Sequence, residues 1–494
     1  MLALALIAGC GDPTFAPDAT IEPPHDAPDD PFVGQLDEPL EFPRAACTAG
    51  ALAGFTDAGY WPALGMRLAA GGAVVDAAGE DAPATVALTA DDLMVRTTRW
   101  TGSAWTLVAI DICAVTGNGL LVGSIARCTS RDAACAPEPI TATKLRRIDN
   151  ESDGAHLVRI GELAGGWDLG TTAHVRVAGD VALLARGADG IRIVSVANPA
   201  APVEIGHFHG GNRDVRDLGL VRGVDGRNYA VTAGSPTSPI VDVTDPRAPQ
   251  LVAELPLSAA SVTIEGVTAY YVDGESSQLQ VYDLSRPRAP KHLGTYRDPA
   301  LGSTVGWRAT FVAGAIAYAS DVHGSGLHVI DTRDPARPRE LAAETAVRGD
   351  AWHAPWLTVA AGKPIALDAS LGRGSKLRLL DGELAAPTFL SRIAEWTLRD
   401  ADGAPRDVSI HDIVAIGPRV FVAHQRDGVR VVDISTPAQP VTSAYFNTWL
   451  EGSGGAQPFE GALGIDVDAT RHRIYVADSI RGLVVLQGDA TVFP

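Results

Sequence analysis

No run of eighteen or more apolar residues occurs in the 494-residue chain, so it holds no helix long and apolar enough to cross a bilayer. Basic residues are in deficit, 40 Lys+Arg against 59 Asp+Glu, for a net charge of −19. Nucleic-acid binding rests on clustered Lys and Arg. The sequence shows no such cluster, which argues against a nucleic-acid partner; the acidity reads as a solubility device. P-loop, G-x-G-x-x-G and H-E-x-x-H patterns are absent, and no G-x-S-x-G elbow surrounds Gly324-Ser325-Gly326. The chain therefore reads as a non-enzyme, with no cofactor.

Cysteine is also sparse, with five residues. Setting Cys10 aside leaves Cys47, Cys113, Cys128 and Cys135, the even number that two disulfides need in an oxidising compartment. Cys128 and Cys135 enclose only six residues and are expected to pair; Cys47 with Cys113 follows by elimination. A zinc site is the rival, but no C-x₂-C spacing or nearby His supports it.

What is abundant is glycine and proline, 52 and 33 residues, as many turns between short strands require. Residues 11–45 combine eight prolines with many acids, a composition that stays extended, and read as a tether. Ahead of it, Leu2 to Gly9 form a short apolar run ending Ile7-Ala8-Gly9-Cys10, which resembles the lipobox of bacterial lipoprotein signal peptides. The resemblance implies cleavage before Cys10 and a lipid on that cysteine; the usual basic segment before the apolar run is missing. A chance Cys after an apolar N-terminus is the alternative.

From about residue 172 one pattern recurs, clearest in Gly428-Val429-Arg430-Val431-Val432-Asp433-Ile434-Ser435-Thr436-Pro437 and Gly326-Leu327-His328-Val329-Ile330-Asp331-Thr332-Arg333-Asp334-Pro335. The marker position falls at 195, 242, 283, 331, 381, 433 and 487, in steps of 41 to 54 residues. Glycine turns the chain into a β-branched strand, and Asp-x-x-x-Pro ends it. Two further strands precede each glycine and one follows the proline, giving four per repeat, the make-up of a propeller blade. The last copy lacks its outermost strand, while Val158–Leu163 lines up with Val203–Phe208 yet has no repeat of its own. Residues 156–163 are thus expected to complete the seventh blade and close the ring.

The runs Leu-His-Val-Ile-Asp and Val-Arg-Val-Val-Asp, each followed by Ser/Thr/Asp-Pro, resemble the LVIVD repeat of bacterial surface propellers over about residues 172–488. The resemblance implies a cell-surface β-propeller and no particular reaction. Residues 46–150 lack the repeat and read as a small antiparallel β-domain, with an eighth blade as the alternative. The expected organisation is all-β: signal and lipobox 1–10, tether 11–45, a small disulfide-bonded β-domain 46–150, and a seven-bladed β-propeller over 154–488.

Register places the innermost-strand starts at one mouth of the channel: His174, Asp217, Ser261, Arg308, His353, His411 and Glu460. The second-to-third-strand loops add Asp273, Asp321, Asp368, His424 and Asp478, with Trp307, Trp352 and Trp356 as aromatic walls. Of these, His353, His411, Arg308, Asp217, Glu460, Trp307 and Trp352 are the candidate ligand-binding residues. A polar rim with aromatic walls suits a protein, glycan or small ligand. The leading expectation is a non-catalytic, surface-anchored binding or scaffold protein that meets the membrane only through its lipid. An enzyme or a metal-binding protein using the same mouth, with His353 and His411 as ligands, is the alternative.

Overall fold

The computed structural model describes residues 47–53, 59–61, 66–68, 74–77, 84–100, 105–116, 121–129, 136–142, 152, 156–163, 170–273, 278–297, 307–321, 326–344, 351–371, 375–399, 409–448 and 460–494. Cys10, Cys135 and the 11–45 segment lie outside the described residues. Every regular element among the described residues is a β-strand. The chain divides into two compact units, one built on 149–450 and 459–494, the other on 12–148 and 451–458.

The smaller unit holds a five-stranded antiparallel sheet in sequence order: Ala84–Leu88, Leu93–Trp100, Trp105–Val115, Leu121–Cys128 and Glu138–Ala142. Its core gathers Leu93, Val95, Val108, Ile110, Ile112, Leu121 and Ile125. A disulfide joins Cys47 to Cys113, with Cα atoms 4.9 Å apart. Cys128 is disulfide-bonded as well. Gly59–Trp61, Met66–Leu68 and Val74–Ala77 form a separate three-stranded sheet.

The larger unit contains seven four-stranded antiparallel sheets among the described residues. Their first strands are His174–Ala178, Asp214–Arg222, Ser261–Glu265, Trp307–Ala313, Ala351–Ala360, Asp412–Ile416 and Ala462–Asp468. Each first strand packs against the first strand of the next sheet, and the seventh packs against the first, so the sheets form a ring with these strands at its centre. Third strands end on the repeat marker, as in Gly190–Ser195, Gln278–Asp283 and Val429–Asp433. Where the marker is Asp, its carboxylate accepts the N–H two residues on, at 2.8 Å in Asp283–Ser285 and 2.7 Å in Asp433–Ser435.

The seventh sheet takes its fourth strand from far upstream. Leu157–Leu163 pairs antiparallel with Gly482–Gly488, from Leu483 opposite Leu163 to Gly488 opposite Leu157. Arg481, 3% exposed, donates Nη2 to Glu162 Oε2 at 2.7 Å and Nη1 to the Thr448 carbonyl at 2.9 Å, tying the sixth sheet, the seventh and the borrowed strand together. At the far end His156 Nδ1 lies 2.8 Å from Asp489 Oδ2.

Fourth strands share a further regularity. The residue beside their bulge is small in all seven: Gly161, Gly206, Ala253, Gly294, Ala342, Ala394 and Ala444. A Cβ on Gly161, Gly206 or Gly294 would be driven into the carbonyl oxygen of Pro199, Pro246 or Pro335, the proline of the next sheet's Asp/Ser-x-x-x-Pro turn. The turn of one sheet thus nests on the outer strand of its predecessor, and Gly161 makes the borrowed strand a regular member of the series.

Candidate functional site

The centre of the ring is laced by side chains that reach from one first strand to the backbone of the next. Asp217, Asp412 and Asp466 repeat one arrangement. Each Oδ1 accepts the N–H of the following residue, and each Oδ2 accepts an N–H on the next sheet: Val262 at 3.0 Å, Ile465 at 3.1 Å and Val177 at 2.7 Å. His353 Nδ1 meets the His411 carbonyl at 2.9 Å, and His411 Nδ1 meets the Leu463 carbonyl at 2.8 Å. A carbonyl only accepts, so both Nδ1 atoms carry the proton and both Nε2 atoms present a lone pair. Burial holds His411 down at about 4 and pushes His353 well below its usual value, so both imidazoles are neutral at pH 7.

These groups crowd into one polar layer. The His353 and His411 rings are 4.7 Å apart. His174 Nδ1 lies 3.2 Å from Asp217 Oδ1, and its Nε2 crosses the ring to 3.7 Å from Asp412 Oδ2 on the sixth sheet. Desolvation drives His174 down to about 4 against the pull of Asp217. Arg308 acts electrostatically on both His353 and His411. Burial opposes the charge of Arg176, but Asp217, Asp412 and Asp466 outweigh it and hold the guanidinium above its usual value. Below the layer Trp356 meets Phe311 at 4.3 Å and packs against clusters of the fifth to seventh sheets, filling the centre with apolar surface.

His353, His411, Arg308 and Asp217 therefore come together, with His174 and with Ser261, whose Oγ donates to Asp217 at 2.9 Å. Trp307 does not join them. It is fully buried, stacked on Tyr296 at 5.8 Å and tilted against His328 at 5.3 Å, in the core between the third and fourth sheets. The register shift between Trp307 and Ala309 turns that indole away from the centre. Glu460 is engaged with Arg426 at 3.6 Å. Asp368 and Asp478 are fully buried rather than on a rim: Asp368 takes Ser320 Oγ at 2.7 Å and Arg378 Nη2 at 3.3 Å, and Asp478 takes Thr448 Oγ1 at 2.7 Å. His424 is buried edge-on to Trp396 at 5.9 Å. The side chains of Trp352 and Asp321 lie outside the described residues. Arg176, Asp412 and Asp466 escaped the sequence reading; an Asp followed by an aliphatic residue in three first strands is the signal that marks two of them.

Seven four-stranded sheets face one centre with their first strands, and the seventh is completed by a strand from the other side of the first. The ring is a β-propeller. A family model described as the LVIVD repeat matches residues 169–209 and 409–448, the first and sixth blades. The propeller thus carries LVIVD repeats. No curated protein matches the sequence. A solved protein from Lactobacillus plantarum superposes with a TM-score of 0.50 at 14% identity, over 66% of this chain and 92% of that one. A β-propeller domain from Myceliophteria thermophila gives 0.46 at 15%, over 66% of this chain and 100% of its own. The extracellular domain of a putative one-component system from B. thetaiotaomicron gives 0.46 at 10%, over 66% of this chain and 39% of that one. At 14% identity the Lactobacillus plantarum protein speaks for fold alone.

The propeller's polar layer has a pH signature. Desolvation pushes Asp412 up to about 7, against the pull of Arg176 and two backbone N–H donors. An acid whose folded value lies above its unfolded one binds its proton more tightly when folded. That stabilisation is complete below about pH 4 and is lost as the pH rises through about 7. Asp412→Asn should therefore flatten the fall of unfolding free energy over that window, whatever its offset from losing an acceptor. Denaturant titrations across pH measure this, and identical slopes in parent and variant would refute it.

Proposed function

We propose that this chain is a non-catalytic binding or scaffold protein of the cell envelope, lipid-anchored through Cys10, that takes a small ligand in the polar layer at the centre of its propeller. One observation carries the reading: two imidazoles from neighbouring blades are locked by backbone carbonyls with Nε2 lone pairs left over, in the same layer as the Arg308 guanidinium. Such a set accepts hydrogen bonds at two points and can donate at a third, which suits a molecule whose hydroxyl or ammonium groups donate to the imidazoles while one of its oxygens accepts from the guanidinium. The apolar fill at Trp356 and Phe311 gives the layer a floor. The LVIVD repeats and the lipobox-like Ile7-Ala8-Gly9-Cys10 support a place at the cell surface.

The metal-binding alternative would use the same two imidazoles. Among the described residues no three His, Cys, Asp or Glu side chains group as a metal cage. Thermal-shift titration of the purified protein with monosaccharides, amino acids, short peptides and zinc or nickel salts tests both readings. A class that binds should raise the transition in proportion to its saturation, and His353→Ala/His411→Ala should abolish that rise. No shift with any class, or a shift that survives the double substitution, would refute the central site. A shift confined to the metal salts would favour the alternative.

A further inference from the structure

The face of the propeller away from the polar layer carries the turns between first and second strands and those between third and fourth strands. Among the described residues, eight of the nine large apolar side chains exposed on the propeller unit lie in these turns or within two residues of them, and the ninth, Val158, lies near the start of the borrowed fourth strand. Val224 in the second blade is 71% exposed, Val267 in the third 38%, and Val359 and Leu384 in the fifth 55% and 44%. Four of these turns, on the second to fourth blades, gather positive charge. In segments 222–228, 242–250, 283–291 and 331–339 nine Lys and Arg, every one exposed, stand against six carboxylates, two of them buried.

The arrangement is built rather than scattered. Buried Asp242 holds both Arg227 and, from the next blade, Arg288 at 2.8 Å, the two guanidiniums being half exposed. Buried Asp331 holds Arg333 at 2.6 Å and Arg339 at 3.1 Å, both mostly exposed. Each carboxylate thus presents two guanidiniums outward with a net positive charge. Arg247, Arg286 and Arg337 stand outside these pairs and are exposed. The turns are contiguous: the Val224 N–H donates to the Ser285 carbonyl at 2.9 Å, and Pro335 nests on Gly294. Four separated turns build this surface, so no run of basic residues marks it in the sequence.

We infer that this face docks on an anionic phospholipid surface, with its arginines on headgroup phosphates and its valines in the headgroup layer. Guanidiniums recognise phosphate oxygens in a fork geometry, and exposed aliphatic side chains contribute where a bilayer interface can bury them. A soluble polyanion has nothing to offer Val224 and Val267, and a purely apolar partner has no use for arginines on a chain of net charge −19. The inference is independent of any ligand in the propeller centre.

The test is cosedimentation of the full chain, carrying Cys10→Ser so that no acyl chain contributes, with phosphatidylcholine vesicles with and without phosphatidylglycerol. Binding should require the anionic lipid and weaken at high salt. Arg247→Glu/Arg286→Glu/Arg337→Glu should weaken it about hundredfold or more. Val224→Ser/Val267→Ser should weaken it about tenfold with the salt dependence unchanged. Both sets are exposed, so the thermal transition of each variant should match that of the parent. Equal binding to phosphatidylcholine alone, indifference to either set, or tighter binding to soluble polyphosphate than to vesicles of equal phosphate content would overturn the inference.

Discussion

Deletion of residues 154–164 should lower the thermal transition of the propeller by roughly 10 °C or more and broaden it. Three losses add up. The Gly482–Gly488 strand, buried along Leu483 to Leu486, becomes an exposed edge open to intermolecular pairing. Arg481 loses Glu162 while remaining held by Thr448, leaving a buried guanidinium without its carboxylate. Leu157 leaves an apolar cluster it shares with Phe446, Leu486 and Phe493. Calorimetry of the full chain reads the result, and an unchanged transition would show that the strand is dispensable. Gly161→Ala probes the same joint more gently, because its methyl meets a backbone carbonyl that cannot rotate away. Its transition should fall between those of the parent and the deletion.

Arg378→Leu should cost about 3 to 5 kcal/mol, the range for removing one partner from a buried ion pair. Arg378 is 1% exposed, between Asp368, which is wholly buried, and Glu344 at the end of the previous blade. Even with Arg378 in place, desolvation raises Asp368 to about 6. Without it the carboxyl is stranded and rises further. A folded value above the unfolded one means that stability falls as the pH climbs from about 4. The deficit of Arg378→Leu should therefore be larger at pH 8 than at pH 4, and Asp368→Asn added to it should recover part of the loss at pH 8. Urea titrations at the two pH values check this, and a deficit that does not change with pH would remove Asp368 as the stranded group.

The all-β architecture and its repeating unit were legible because each repeat writes its turn chemistry into the chain. Asp followed two positions later by an N–H it can accept, then proline, marks the end of a strand wherever it occurs. The interior of the ring was less legible, for two reasons. Bulges in the first strands, as between Trp307 and Ala309 or between Val215 and Asp217, shift which side chain faces the centre, and nothing in the local sequence announces them. Trp307 fell on the core side of such a shift. The second reason is partners distant in sequence: Asp368 read as a loop carboxylate because Ser320 and Arg378, which bury it, lie 48 and 10 residues away. Arg176 and Asp412 sit within strands and looked like ordinary alternation. The small-residue position from Gly161 to Ala444 was present in the sequence, but its meaning depends on the proline of the neighbouring blade.

The seventh blade also sets the order in which the molecule can form. Leu157–Leu163 must wait for Gly482–Gly488, so more than three hundred residues leave the ribosome before their hydrogen bonds exist. Pairing across such a separation is slow. Until it happens, the first and last blades each show an unfinished flank. The closed disc is therefore the last part of the propeller to form, because its final partner strand is also among the last to be made.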